Sequence, residues 1–254
     1  MIPHHIELTD NKKIYFASDF HLGIPNEKES RLREKKIVEW LSSIEKDAAA
    51  VFLVGDIFDF WFEYKYTVPK GFVRLLGKLA ELSDNNIPIY IFTGNHDMWM
   101  FDYFQKELNI PIIRHNISIS LGEKKFMIGH GDGLGPGDYF YKFLKRIFAN
   151  SFFQRVFAFF HPFIGMGIAN TWSKKSRDSH TGKDDKFLGE EEWLFQFCRK
   201  KEMAEHHDFY IFGHRHLSLD MKISDNSRYI NLGTWLNDSP YTVFDGKEVK
   251  KYNF

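Results

Sequence analysis

Val51-Phe52-Leu53-Val54-Gly55-Asp56-Ile57-Phe58-Asp59 is the stretch whose reading decides the fold. Residues 51–54 form an unbroken apolar run, the pattern of a strand buried on both faces. Gly55 permits a sharp turn, so Asp56 stands just past the strand's carboxyl end, the edge at which open α/β sheets bind ligands. Alone, Asp56 reads more readily as a turn residue capping the next helix. Repetition decides between the two. Lys13–Ser18 ends in Asp19-Phe20-His21, and Ile87–Thr93 ends in Gly94-Asn95-His96-Asp97. Phe126–Ile128 ends in Gly129-His130-Gly131-Asp132, and Phe209–Phe212 in Gly213-His214-Arg215-His216. Packing does not explain such a series, because unpaired Asp and His are costly to bury together.

Between these strands the chain alternates with helical patterns, predicted over Glu29–Asp47, Phe72–Leu82 and Trp99–Leu108. In the first, Leu32, Ile37, Trp40, Leu41 and Ile44 are the expected apolar face. Alternation of this kind points to an α/β sheet with helices on both sides. From Ile117 onward, short strands at Ile117–Leu121, Lys125–Ile128, Phe209–Phe212, Arg228–Asn231 and Tyr241–Phe244 are expected to build a second sheet against the first. A chain of 254 residues accommodates this as one domain over 1–254 with an insertion at approximately 138–178.

The insertion is dense in aromatics from Tyr139 to Phe163 and reads as two or three helices, broken near Asn150 and at Pro162. Its longest uncharged window, Val156–Ser173, just reaches spanning length, but His161, Pro162 and Asn170 interrupt it. Three readings stay open: a packed helical pair, an apolar cap for an acyl chain, or a surface resting on a bilayer beside Lys142, Lys145, Arg146 and Arg155.

Lys plus Arg and Asp plus Glu are equal at 34 each, which argues against a nucleic-acid partner. The single cysteine, Cys198, excludes an intrachain disulfide and reads as a small buried hydrophobe on a helix. Met1–Asn11 lacks the basic start and apolar run of a secretory signal, so a cytoplasmic location is expected.

Asp, His and Asn without Cys form an oxygen and nitrogen set suited to manganese, iron or zinc. Asp19, His21, Asp56, Asn95, His130, His214 and His216 are too many for one ion. Two ions sharing a bridging carboxylate, roughly 3.5–4 Å apart, would use them all, activating a water to attack a phosphate ester or anhydride. His96 is expected to be catalytic, stabilising or protonating the leaving oxygen, with Asp97 orienting it. Asp59 and Asp132 are expected to hold metal-binding histidines as outer acceptors.

The five blocks, in order across Asp19 to His216, resemble the calcineurin-like metallophosphoesterases. The resemblance implies a four-layer αββα sandwich of two mixed sheets. It also implies one ion held by Asp19, His21, Asp56 and His216, and another by Asp56, Asn95, His130 and His214. Within that family, Asp19-Phe20-His21-Leu22-Gly23, the run Gly55–Trp61, and His130-Gly131-Asp132 followed by Asp138 are similar to the UDP-2,3-diacylglucosamine hydrolases of lipid A synthesis. That branch implies manganese, a UDP-diacylglucosamine substrate cleaved at its α-phosphate to UMP and 2,3-diacylglucosamine 1-phosphate, acyl chains held by the inserted helices, and a monomer peripheral to the inner membrane. Asp138 matches a sugar-contacting position, and Ser173, Lys174, Lys175, Ser176 and Arg177 fall where further substrate contacts are supplied. His96 departs from the branch, whose best-known members carry Arg there. The alternative is a soluble metallophosphoesterase acting on nucleotides or other phosphodiesters, with the same metal centre and no need of an apolar groove.

Overall fold

The computed structural model describes residues 3–9, 11–137, 139–165, 167 and 186–254. Two six-stranded mixed sheets form its centre. The first runs β12-β11-β2-β3-β4-β5, with β2 Lys13–Ala17, β3 Ala48–Val54, β4 Ile89–Phe92, β5 Ile112–Ile113, β11 Pro240–Phe244 and β12 Val249–Asn253. The second runs β1-β6-β7-β8-β10-β9, with β1 His5–Ile6, β6 Ile117–Leu121, β7 Lys124–Gly129, β8 Phe209–Phe212, β9 Ser218–Ser224 and β10 Ser227–Leu232.

Strand periodicity divides each apolar run between two cores. Phe16, Phe52, Val54 and Phe92 of the first sheet meet Phe126, Ile128, Phe209 and Ile211 of the second. The alternate residues Tyr15, Ala17, Val51, Leu53 and Ile91 face outward onto helices α1 (Glu27–Ile44), α2 (Val73–Asp84) and α3 (Tyr103–Leu108), through Trp40, Leu41, Leu75, Leu79 and Phe104. The second sheet's outer face, through Met127, Tyr210, Phe212 and Tyr229, packs on Leu194, Phe195 and Cys198 of the helix Trp193–Glu202. The result is the four-layer sandwich expected from the family resemblance.

Parallel register puts Phe16 opposite Phe52 and Phe52 opposite Tyr90. Their rings stack at 5.3 and 4.8 Å, and Phe126 closes on Phe16 from the facing sheet at 6.0 Å. Burying each ring stabilises by roughly 1.5–3 kcal/mol, and each pair adds about 0.5–1.5 kcal/mol. Phe52→Ala would open a cavity between the sheets at a cost of roughly 3–5 kcal/mol.

Several elements differ from the sequence reading. Tyr241–Phe244 belongs to β11, which joins the first sheet by pairing antiparallel to β2, with Thr242 opposite Phe16. It thereby covers an edge that β2 would otherwise leave open. Leu32 is 58% exposed, and the buried stripe of α1 instead runs through Ser30, Arg33, Glu34, Ile37, Trp40, Leu41 and Ile44. Burying Arg33 and Glu34 is tolerable because both are hydrogen-bonded. Arg33 donates to the carbonyls of Phe20 and His21, and Glu34 accepts from the amides of Arg74 and Leu75 at the start of α2. Asn26 caps α1 by accepting from the Glu29 amide at 3.0 Å.

The third helix begins at Tyr103 rather than Trp99 because the Glu63 carboxylate captures the amides of Asp102 and Tyr103. Trp99 lies in an isolated bridge to Phe62. The insertion contributes helices α4 (Tyr139–Ala149) and α5 (Ser151–Ala158), and Asn150 caps the second by accepting from Phe152 N, which accounts for the break there. The helix Trp193–Glu202 is α6. Among the described residues no helix is long and apolar enough to cross a membrane.

Candidate metal centre

Strands β2, β3, β4, β7 and β8 deliver Asp19/His21, Asp56, Asn95, His130 and His214/His216 to one rim between the sheets. Backbone bonds stitch these loops together. Asp19 N donates to Gly55 O, His21 N to Asp56 O, Gly213 N to His130 O, and Trp235 N to Asp19 O, all at 2.9–3.0 Å. Asp19, His21, Asp56, His214 and His216 all adopt left-handed backbone, with φ from 44° to 70°. Residues with side chains pay for that conformation, and such strain concentrates at sites where orientation is functional.

The motif glycines act mainly by what they omit. Gly55, at φ 84°, turns the chain, but Gly94, Gly129 and Gly213 are absent from the positive-φ positions. A Cβ on Gly94 would meet Asp56 Oδ1 at 2.1 Å, one on Gly213 would meet Asp19 Oδ2 at 2.5 Å, and one on Gly129 would meet Asn116 Oδ1 at 2.0 Å. Two of the three therefore leave room for the acids themselves.

Three donor groups result among the described residues: Asp19/His21/His216, Asp56/His130/His214 and, sharing His21 with the first, His21/Asp59/His96. In the first, His21 Nε2 and His216 Nε2 are 2.9 Å apart, and Asp19 Oδ1 lies 3.3 Å from His216 Nε2 and 3.7 Å from His21 Nε2. In the second, Asn95 Oδ1 is 3.2 Å from His130 Nε2 and 3.0 Å from His214 Nδ1. Asp56 Oδ2 stands between them, 3.3 Å from His130 Nε2 and 3.9 Å from His21 Nε2. All seven sequence-predicted ligands are therefore brought together.

The donor set fits divalent cations. Among the described residues, the buried atoms Asp19 Oδ1 and His21 Nδ1 have no hydrogen-bond partner, a costly state for a carboxylate oxygen facing two imidazoles. Burial by itself would make His21 and His130 weaker bases. Asp19, Asp59 and Asp56 nevertheless raise His21 to about 10, and Asp56, Asp19 and Asp132 raise His130 to about 10. The same contacts overcome burial to hold Asp19 and Asp56 below the ordinary carboxylate range. Such a cage holds protons where a cation would otherwise balance its charge, so cation uptake releases protons. Burial, with His130 beside it, pushes His214 down to about 4 and keeps it neutral, the form that metal binding requires of an imidazole.

The neighbouring residues depart from their expected roles in informative ways. Asp97 does not serve His96: its carboxylate accepts from the amides of Ile57 and Gly94, each at 2.7 Å, bolting two motif loops together. Burial and the charge of Asp56 raise Asp97 to about 7. Asp59 takes the orienting role, its carbonyl 3.0 Å and its Oδ1 3.6 Å from His96 Nδ1, while Oδ1 also faces His21 Nδ1 at 3.7 Å. His130 Nδ1 bonds the Val54 carbonyl at 2.9 Å. Asp132 instead accepts from Tyr141 and Lys145 of α4, each at 2.6 Å, tying the insertion to the His130 loop. Asp138 and Ser173, Lys174, Lys175, Ser176 and Arg177 lie outside the described residues.

Arg33 escaped the sequence reading, although it bonds the carbonyls of the loop carrying Asp19 and His21. Its signal was its spacing: counted back from Ile37, Trp40, Leu41 and Ile44, the buried stripe falls on 33 and 34, not 32.

The insertion is anchored by Trp99, whose Nε1 donates to Phe148 O at 2.8 Å, and by Phe157, 4.8 Å from both Phe62 and Trp99. Its far side is apolar and exposed: Tyr139, Phe143, Phe152, Phe159 and Phe163 are all more than half exposed. Lys142 and Lys145, set beside a bilayer in one of the three open readings, turn inward to Gly135 O and Asp132.

Fold and donor arrangement define the class. The chain belongs to the calcineurin-like phosphoesterase family, whose model matches residues 12–218. It is 42% identical to the UDP-2,3-diacylglucosamine hydrolase of Porphyromonas gingivalis, over 92% of this chain and 94% of that one. It is 26% identical to the enzyme of the same name from Haemophilus influenzae, over 88% and 91% of the two chains. Among solved structures, Vps29 from Cryptosporidium parvum aligns over 97% of this chain and 99% of its own at 14% identity, with a TM-score of 0.45.

Proposed function

We propose that this chain hydrolyses the pyrophosphate bond of UDP-2,3-diacylglucosamine, giving UMP and 2,3-diacylglucosamine 1-phosphate in lipid A biosynthesis. The observation that carries the reading is the 42% identity to a hydrolase of that name across nearly both full lengths, in a chain whose seven donors converge at one rim.

Asp19, His21, Asp56 and His216 would hold one ion and Asp56, Asn95, His130 and His214 the other, with manganese as the metal. When bound, two such ions supply a water of lowered pKa and neutralise phosphate oxygens. The chain's own groups do the rest. His96 engages the Asp59 carbonyl through Nδ1, so Nε2 is the ring atom that meets the substrate. Burial lowers its basicity, and the arriving pyrophosphate charge favours the imidazolium that donates to a phosphate oxygen. Arg at this position would supply a fixed charge, whereas His96 supplies a titratable one.

The helical insertion, approximately 138–178 of a single domain spanning 1–254, would hold the acyl chains. Its exposed aromatics would rest on the cytoplasmic face of the inner membrane as a peripheral contact of a monomer. Asp138 and Ser173, Lys174, Lys175, Ser176 and Arg177 are assigned to substrate on the family resemblance.

The test is incubation with UDP-2,3-diacylglucosamine and Mn²⁺ in ¹⁸O-labelled water, with products read by mass spectrometry. Labelled UMP is expected. UMP release indifferent to the acyl groups would favour a general nucleotide phosphodiesterase, and no UMP at all would overturn the proposal.

A further inference from the structure

His214 and His216 flank Arg215, and both carry left-handed backbone, at φ 70° and 53°. Two neighbouring residues held in that region need an external brace. Arg215 is 4% exposed and forms a two-pronged pair with Glu192, which is fully buried: Nε donates to Oε2 at 2.8 Å and Nη2 to Oε1 at 3.0 Å. The pair is satisfied further by its surroundings, since Nη2 also donates to Lys186 O and Glu192 Oε1 accepts from Leu188 N. The guanidinium lies over the Trp193 ring at 5.8 Å.

The same short segment presses on the His130 loop. A Cβ on Gly135 would meet Trp193 O at 2.4 Å, and one on Gly131 would meet Leu194 Cδ1 at 2.9 Å. Residues 192–194 thus abut both loops that deliver His130, His214 and His216. A buried ion pair is weak evidence for stability, because an apolar pair of similar volume fills the same space at similar free energy. What the charged fork supplies, and an apolar pair does not, is a fixed orientation of the guanidinium and of the backbone bearing it.

We propose that Glu192 is a positioning residue for the cation centre: through its two-pronged bond to Arg215 it sets the splay of His214 and His216 towards the two adjoining donor clusters. The inference rests on those histidines holding cations. Glu192 is not among the clustered donor side chains and acts through Arg215.

The test is manganese titration of the wild-type protein, Glu192→Gln and Glu192→Leu/Arg215→Met, followed by electron paramagnetic resonance for affinity and for the spin-coupled signal of a metal pair. Melting temperature is measured alongside. The double variant leaves no lone buried charge, so it is expected to melt near the wild-type temperature. Both variants are expected to bind manganese roughly 10-fold or more weakly, the usual effect of losing an outer-shell partner, and to lose the coupled signal. If Glu192→Gln fails to fold, the double variant decides. A folded variant with wild-type affinity and an unchanged coupled spectrum would overturn this inference alone. Absence of a coupled pair in the wild type would overturn it together with the metal assignment.

Discussion

Replacing Gly94 by alanine adds one methyl group at the point where the two donor clusters meet. The new Cβ would lie 2.1 Å from Asp56 Oδ1 and 2.7 Å from Asp56 N, where ordinary contact begins at 3.4 Å. The carboxylate must therefore withdraw by about 1 Å, a displacement that costs on the order of 100-fold in rate when it misplaces a reacting geometry. Asp56 has little freedom to absorb it, since Oδ1 also accepts from His96 N at 2.9 Å and Oδ2 faces His130 Nε2 at 3.3 Å. Overpacking adds a stability penalty of roughly 1–3 kcal/mol, which an α/β domain of this size should survive. Gly77→Ala serves as control. It lies within α2 with nothing inside 4 Å of its would-be Cβ, and the change should stabilise by roughly 0.5–1 kcal/mol. The assay is UMP release at saturating Mn²⁺, with metal stoichiometry and circular dichroism on the same samples. A folded Gly94→Ala protein with undiminished turnover would refute the claim that this glycine clears space for a bridging acid.

Three further outcomes follow from the site and its supports. His96→Ala should slow hydrolysis by roughly 100-fold or more with metal content unchanged, and should flatten any pH dependence due to the imidazole, as read from rate–pH profiles. Phe157→Ala removes a ring packed on Phe62 and Trp99. It should raise KM for the diacylated substrate severalfold while leaving bis(p-nitrophenyl) phosphate hydrolysis unchanged, and equal losses on both would argue against a cap dedicated to acyl chains. Asp47→Asn tests a paired acid remote from the centre: burial opposes its charge, but hydrogen bonds from Lys13 and Tyr15 lower its pKa below the ordinary value. A depressed folded pKa contributes stability above the unfolded value of about 3.9, and that stability is lost as pH falls through the folded value. Urea unfolding should therefore find the variant less stable than wild type at pH near 7, with the gap closing as pH falls below the unfolded value and through the lowered folded one.

The convergence of the seven candidate donors was legible because each follows an apolar strand, and β-branched or aromatic runs ending in Asp, Asn or His carry their meaning locally. Two-sheet architecture was legible for the same reason. What escaped depended on contacts between segments far apart in the chain. Pro240–Phe244 looks like any short strand, and only its pairing with β2 assigns it to the first sheet. Ser218–Ser224 alternates exposed and half-buried residues on a sheet edge, so its apolar signal is faint. Asp97 sits beside His96 in sequence, yet its carboxylate accepts from the amides of Gly94 and of Ile57, the latter 40 residues away, and Asp59 takes the place adjacency had assigned to it. Glu192 and Arg215 carry no local sign of being partners; only the fold brings them together.

The most direct measurement of the central claim is anomalous diffraction from crystals grown with manganese. Two ions roughly 3.5–4 Å apart are predicted, with Asp56 touching both, Asp19, His21 and His216 around one, and Asn95, His130 and His214 around the other. A single weakly occupied ion, or two ions that Asp56 does not bridge, would contradict the account.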